Sequence, residues 1–328
     1  MNYSDKQEDA DPALVDNLLN DLKNKYSLTG QSLTDNLEGL LHANYLKYWN
    51  YIHLDTLLSL QNPRTDFPDE NIFIVYHQVT ELYFKLILQE IAQIAQNTAL
   101  TPKFFIQRLK RINLFFRILT FSYDTMIEGM DVEQFRQFRM ALLPASGFQS
   151  AQIRKIEIWS TDFIHLVNRN QRDNYVGDES VETLFDHIYW KAGATDQNTG
   201  EETITSKHFQ QKYKADFIAL GEQVRNTNLW QVYLALLKHP QLQENADLKL
   251  EMVEALRKFD TLMNVDWRLA HYKSAVRYLK DADGVIEATG GTNWQKYLPP
   301  RFQKVIFYPE LWTTEEQKEW GKKWVEKQ

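Results

Sequence analysis

DLKLEMVEALRKFDTLMNVDWRLAHYKSAVRYL, residues 247–279, carries the longest unbroken helical pattern in the chain. Apolar side chains return every three or four residues and neither glycine nor proline interrupts them, which predicts a long helix with a buried face. The same period recurs in NIFIVYHQVTELYFKLILQEIAQIAQ (71–96), after a loop marked by Asn62-Pro63 and Pro68. Further helices are expected over 102–127 and 150–168, in ALVDNLLNDLKNKY (13–26), and in the charged end TTEEQKEWGKKWVEKQ (313–328). The fold class read from this pattern is all-α and bundle-like.

Composition shifts divide the chain into three segments. Residues 1–39 read as an N-terminal helical segment, disordered over about the first ten residues. Residues 40–312 form the main domain, and 313–328 a charged terminal helix. Within the main domain, polar stretches around VETLFDHIYW suggest a small insertion over about 169–207. No internal repeat or low-complexity tract is found, which argues against a solenoid.

Of 328 residues, 43% are hydrophobic and 13% aromatic, enough for a sizeable core rich in large rings. Twelve glycines and nine prolines are few for this length and disfavour a turn-rich β architecture. The formal charge of −7 and the absence of a basic block argue against a nucleic-acid partner; RLKR at 108–111 reads as a solvated helix face. With no cysteine, disulfides, thiolate catalysis, cysteine-ligated metals and iron–sulfur clusters are excluded. No segment approaches a membrane span and the N-terminus lacks a signal-peptide pattern, so no membrane association and a cytoplasmic location are expected.

FRMALLPASGFQS (138–150) interrupts the helical text. Arg139 stands on the approach, Pro144 ends it, Ser146 is a candidate N-cap and Gly147 permits a bend. Phe135, Phe138, Leu142, Leu143 and Phe148 surround the arginine with apolar residues, where an unpaired charge costs several kcal/mol. Its counter-ion is either a structural carboxylate such as Glu133 or Glu157, or an anion on a ligand.

Eight histidines are scattered, and two lie in the most apolar helices: His77, in a stripe with Phe73, Glu81 and Phe84, and His271, with Trp267 and Ala275. Each is either a core histidine satisfied by a carbonyl or carboxylate, or a functional group. The paired Glu-x-x-His motifs of a carboxylate-bridged di-iron site are absent. So are a Gly-rich phosphate cradle and a nucleophile elbow. Buried histidines, many aromatics, an inward arginine and a Gly-Gly loop fit haem, whose iron needs one axial imidazole and no cysteine.

Six blocks carry a resemblance: YWNYIHLDTLLSLQNP (48–63), DENIFIVYHQVTELYFK (69–85), FRQFRMALLPASGFQSAQIRKIE (135–157), DWRLAHYKSAVRYL (266–279), ATGGT (288–292) and FYPELW (307–312). In order and spacing they resemble the tryptophan 2,3-dioxygenase family. The resemblance implies an all-α homotetrameric enzyme with haem b, which inserts both atoms of O2 across the indole C2–C3 bond of L-tryptophan to give N-formylkynurenine. It implies that His271 is the axial iron ligand, that His77 hydrogen-bonds the indole N–H, and that Arg139 clamps the substrate carboxylate. Thr289 matches a contact to the amino-acid end, on a loop that closes over substrate. Phe73 and Phe135 match residues against the indole, and Tyr48 and Tyr51 match aromatics contributed by a neighbouring subunit.

Two stretches depart from the family pattern. Tyr48-Trp49-Asn50-Tyr51-Ile52 has tryptophan where glycine is usual, and Ala288-Thr289-Gly290-Gly291-Thr292-Asn293-Trp294 lacks small residues at its end and a glycine at its start. They motivate the alternative of a related haem-dependent monooxygenase acting on another indole or a phenol. A non-catalytic haem- or aromatic-ligand-binding protein, or a helical scaffold, is the reading from another class.

Overall fold

A computed structural model of the chain describes residues 11–27, 30, 32–42, 47–195, 200–281, 284–285 and 294–322. Thr289, most of its loop, the first ten residues and the last six fall outside the described residues. Two units are separable, Met1–Leu60 and Gln61–Gln328.

The first unit holds α1 (Pro12–Tyr26), α2 (Leu33–His42), α3 (Tyr48–Tyr51) and α4 (Leu54–Leu58), none with a buried residue. Asp11 caps α1 by accepting from the Ala13 amide, with Pro12 at the first helical position.

The second unit is organised by α5 (Asp69–Ala95) and α6 (Pro102–Ser122). In α5 the buried Tyr76, Thr80, Phe84, Ile87, Ile91 and Ile94 follow the three-and-four period that turns one stripe inward. Thr101 caps α6 and Pro102 starts it. Their shared core continues through α9 (Ala151–Ser160), α12 (Ile204–Val224) and α15 (Ala246–Thr261), with α7 (Asp124–Ile127), α8 (Val132–Phe138), α10 (Arg169–Arg172), α11 (Val181–Phe185), α13 (Leu229–Leu236) and α14 (Pro240–Gln243) between. Phe116 links the layers, its ring 6.4 Å from Phe84 on α5 and 5.7 Å from Phe259 on α15. Each such buried ring or Ile contributes roughly 1.5–3 kcal/mol. Strand is confined, among the described residues, to a hairpin of two-residue strands, Lys280–Asp281 and Gly284–Val285, and two isolated bridges. The protein is all-α.

Several expectations are modified by tertiary contacts. The helix expected over 150–168 stops at Ser160: Thr161 turns extended and its hydroxyl donates to the Phe307 carbonyl, while Asp162 accepts from Asn228 and Gln231. RLKR is not merely a solvated face. Leu109 is fully buried, and Arg108 and Arg111 both pair with the buried Glu90, at 3.2 and 2.8 Å. In the stretch 169–207, Val181, Leu184, Phe185, Ile188, Tyr189 and Trp190 enter the principal core.

The long pattern at 247–279 is helical throughout yet not one α-helix. After α15, residues Leu262–Asp266 form a π turn that leads into α16 (Trp267–Leu279). A π turn absorbs about one extra residue, which rotates the faces of α16 by roughly 100° relative to α15. Beside it the fully buried Asp260 accepts from the Asn264 side chain, the Phe307 and Tyr308 amides and the Trp312 indole, at 2.8–3.3 Å. That carboxylate ties FYPELW to the helical body.

Candidate functional site

His77 lies one turn beyond Phe73 on α5, and its Nδ1 is 2.7 Å from the Phe73 carbonyl oxygen. A carbonyl only accepts, so Nδ1 carries the proton and Nε2 of the neutral ring keeps its lone pair. Burial lowers the His77 pKa, opposed by the Phe73 carbonyl and the Glu81 carboxylate. The imidazole is thus a neutral hydrogen-bond acceptor at physiological pH. The Phe73 ring leans on it at 4.2 Å.

His271 comes from α16, past the π turn. Burial pushes its pKa down to about 4, with the nearby His77 and Arg268 acting in the same direction. Its ring stacks on Tyr123 at 5.8 Å and lies 6.0 Å from Trp267. The line continues from Tyr123 to Tyr76 at 5.3 Å and from Tyr76 to His77 at 5.3 Å. Both histidines therefore open on one cavity, of about 270 Å³, whose apolar wall includes Phe73, Phe135, Met126 and Leu142. Phe135 is held at 4.5 Å by Tyr278 of α16.

The polar turn is built differently from the expectation. Beyond α8, Arg139–Leu142 tighten into a 3-10 turn; Ser146 caps a second short 3-10 turn, Gly147–Gln149, in a capping box, and Ser150 caps α9. Ala145, Ser146, Gly147 and Phe148 line the cavity. Arg139 is buried, and burial and the neighbouring Arg136 lower its pKa. It is not itself among the lining residues; Leu142 of its turn is. Glu157, one candidate partner for it, is held by Arg154 and Arg268, and Glu133 accepts from Gln137.

Arg154 of α9 and Arg268 of α16 are the guanidinium groups on the wall. Both reach Glu157 Oε1, at 3.1 and 3.2 Å, and both donate to the Tyr189 hydroxyl, at 2.7 and 3.0 Å. Arg268 also donates to Gln303. Their side chains are 12% and 8% exposed, that of Glu157 2%.

No group of three or more metal-binding side chains occurs among the described residues. What the cavity offers a metal is imidazole, which suits an iron that arrives in its own chelating ring rather than a bare ion. Aromatic walls suit a planar macrocycle. The indole N–H groups of Trp190 and Trp267 and Arg154 Nε are buried on this wall without protein partners.

Of the residues singled out in the sequence, His77, His271, Phe73 and Phe135 meet in this cavity. Tyr48 and Tyr51 belong to the first unit, where they are 69% and 70% exposed. Sequence reasoning missed Tyr123, Arg154, Glu157, Tyr189, Trp190 and Arg268 as cavity residues. Only Arg268 carried a local signal, lying one turn before His271.

Fold and site define an all-α protein whose core encloses an aromatic-walled cavity with two neutral histidines and a basic end. The family model described as "Tryptophan 2,3-dioxygenase" matches residues 38–187. A tryptophan 2,3-dioxygenase of Ruegeria sp. (strain TM1040) is 27% identical over 283 residues, covering 83% of this chain and 92% of its own. That of Geobacillus thermodenitrificans is 26% identical over 84% of this chain and 95% of its own. That of Anaeromyxobacter sp. (strain K) is 41% identical over a shorter stretch, 35% of this chain and 44% of its own. The chain is thus similar to tryptophan 2,3-dioxygenases over most of its length, and to their family model over residues 38–187.

Proposed function

We propose that this protein is a haem-dependent dioxygenase that cleaves the indole C2–C3 bond of L-tryptophan with O2, giving N-formylkynurenine, the first step of tryptophan breakdown through kynurenine. The observation that carries the reading is one aromatic-walled cavity onto which a neutral His271 and an acceptor His77 both open. When bound, haem b supplies O2 activation by its iron.

The chain's part is to bind and orient. His271 would hold the haem iron, and it is already in the neutral form that ligation needs. Nε2 of His77 accepts the indole N–H, which fixes the orientation of the ring against Phe73 and Phe135. Arg139 clamps the substrate carboxylate, and Thr289 contacts the amino-acid end. The apolar wall excludes water from the reacting carbons.

The active assembly is a homotetramer, with Tyr48 and Tyr51 contributed to a neighbouring subunit's pocket; their exposure supports that role. So does an apolar stripe on α5, Val75, Val79, Leu82 and Leu86, spaced four-three-four and exposed.

The test is turnover. Haem-loaded protein is reduced without oxygen, mixed with L-tryptophan and then given O2. N-Formylkynurenine is the expected product; its absence from protein with a normal Soret band sinks the reading, and a hydroxylated product with an intact ring points to the monooxygenase instead.

A further inference from the structure

The basic end of the cavity has no assigned work in that account. Among the described residues lining the cavity, Glu157 is the one carboxylate and Arg154 and Arg268 are the two permanent cations. Burial holds the Tyr189 hydroxyl protonated, so it bridges the two guanidiniums and donates to Glu157 without adding charge. The cluster therefore keeps one net positive charge in a buried setting, where an uncompensated charge is strongly disfavoured. Arg154 Nε, an N–H donor, is buried with no protein partner.

We propose that Arg154 and Arg268, braced by Glu157 and Tyr189, form a carboxylate-binding subsite of the cavity. The inference deepens the haem reading and rests on it for the favoured source, a propionate at the edge of the macrocycle. Arg268 and His271 are three residues apart on α16, so their Cβ atoms share a face roughly 5–6 Å apart. A planar ligand held at the imidazole then presents its rim to the guanidiniums. The second source of the same chemistry is the carboxylate of the amino-acid substrate.

The test compares free-acid and esterified ligands on full-length protein. Metal-free protoporphyrin IX and its dimethyl ester are titrated by fluorescence, which separates the subsite from iron ligation; haem and its dimethyl ester are titrated by the Soret band. Wild type is expected to favour the free acids by about tenfold, the scale of a charge-assisted hydrogen bond. Arg154→Gln and Arg268→Gln should each erase most of that preference, while Glu157→Gln, which raises the net charge, should enlarge it. Circular dichroism identifies variants that fail to fold, and the opposite response of Glu157→Gln is one that general loosening cannot produce.

If the arginine variants keep the porphyrin preference but lose discrimination between tryptophan and tryptamine, the subsite holds with the substrate as its source. Variants that keep both discriminations overturn it. A wild-type protein that favours the free porphyrin but gives no Soret band with haem overturns the haem reading and leaves the subsite standing.

Discussion

At the residue scale, the two histidines divide the work through hydrogen bonding and burial. The Phe73 carbonyl sets the tautomer of His77, which leaves Nε2 as an acceptor on a residue that lines the cavity. His77→Phe keeps ring shape and removes the acceptor; the dissociation constant of L-tryptophan should rise about tenfold, while that of 1-methyltryptophan, which lacks the indole N–H, should change little. Equal weakening of both ligands would show that the imidazole acts through packing. His271→Ala should abolish stable haem uptake, read from the Soret band after reconstitution, with helical content unchanged by circular dichroism. Arg139→Lys keeps charge but loses the planar fork, and should raise KM for tryptophan about tenfold with a smaller effect on kcat. Wild-type KM in that variant would remove Arg139 from the clamp role.

At the element scale, the π turn Leu262–Asp266 and its neighbour Asp260 set the heading of α16. Four separate N–H donors converge on that carboxylate, and burial still pushes its pKa up to about 6. Asp260→Ala strands the Phe307 and Tyr308 amides and the Trp312 indole, and should cost about 3–5 kcal/mol, measured by urea unfolding. A loss below about 1 kcal/mol would mean that FYPELW is held by its apolar contacts alone. The helical period of 247–279 was legible because spacing of three and four is a local property. The break in register was not, because a π turn uses the same residue types as the helix around it.

At the scale of the whole molecule, acid should unfold the ligand-free protein through buried histidines. Burial, with the neighbouring Arg172 adding to it and Asp162 opposing, pushes the His165 pKa down to about 4 from an ordinary value of 6.5. A depressed folded value means that the unfolded chain binds the proton first. This stability is present in full above about pH 6.5, shrinks as pH falls, and is lost through about 4, amounting to about 3 kcal/mol. His271 shifts in the same sense, whereas the raised Asp260 gains stability on acidification and offsets part of the loss. His165→Gln should flatten the fall in urea midpoint between about pH 7 and 4.5; an unchanged slope would exclude His165. For assembly, Val79→Glu with Leu82→Glu on the exposed face of α5 should convert the proposed tetramer to smaller species by light scattering.

Local spacing and recognisable blocks in the chain were enough to place the long helices α5 and α6, the helical run of α15 and α16, the polar turn at 138–150 and four of the residues that meet in the cavity, His77, His271, Phe73 and Phe135. The basic end of the cavity came from tertiary packing alone. Arg268 and Glu157 are 111 positions apart, and Tyr189 and Trp190 come from a stretch whose polar flanks read as an insertion. Helical periodicity says which face of a segment is buried but not which distant face it meets. The cavity's charge balance depends on that meeting, because it is set by which charged groups are desolvated together.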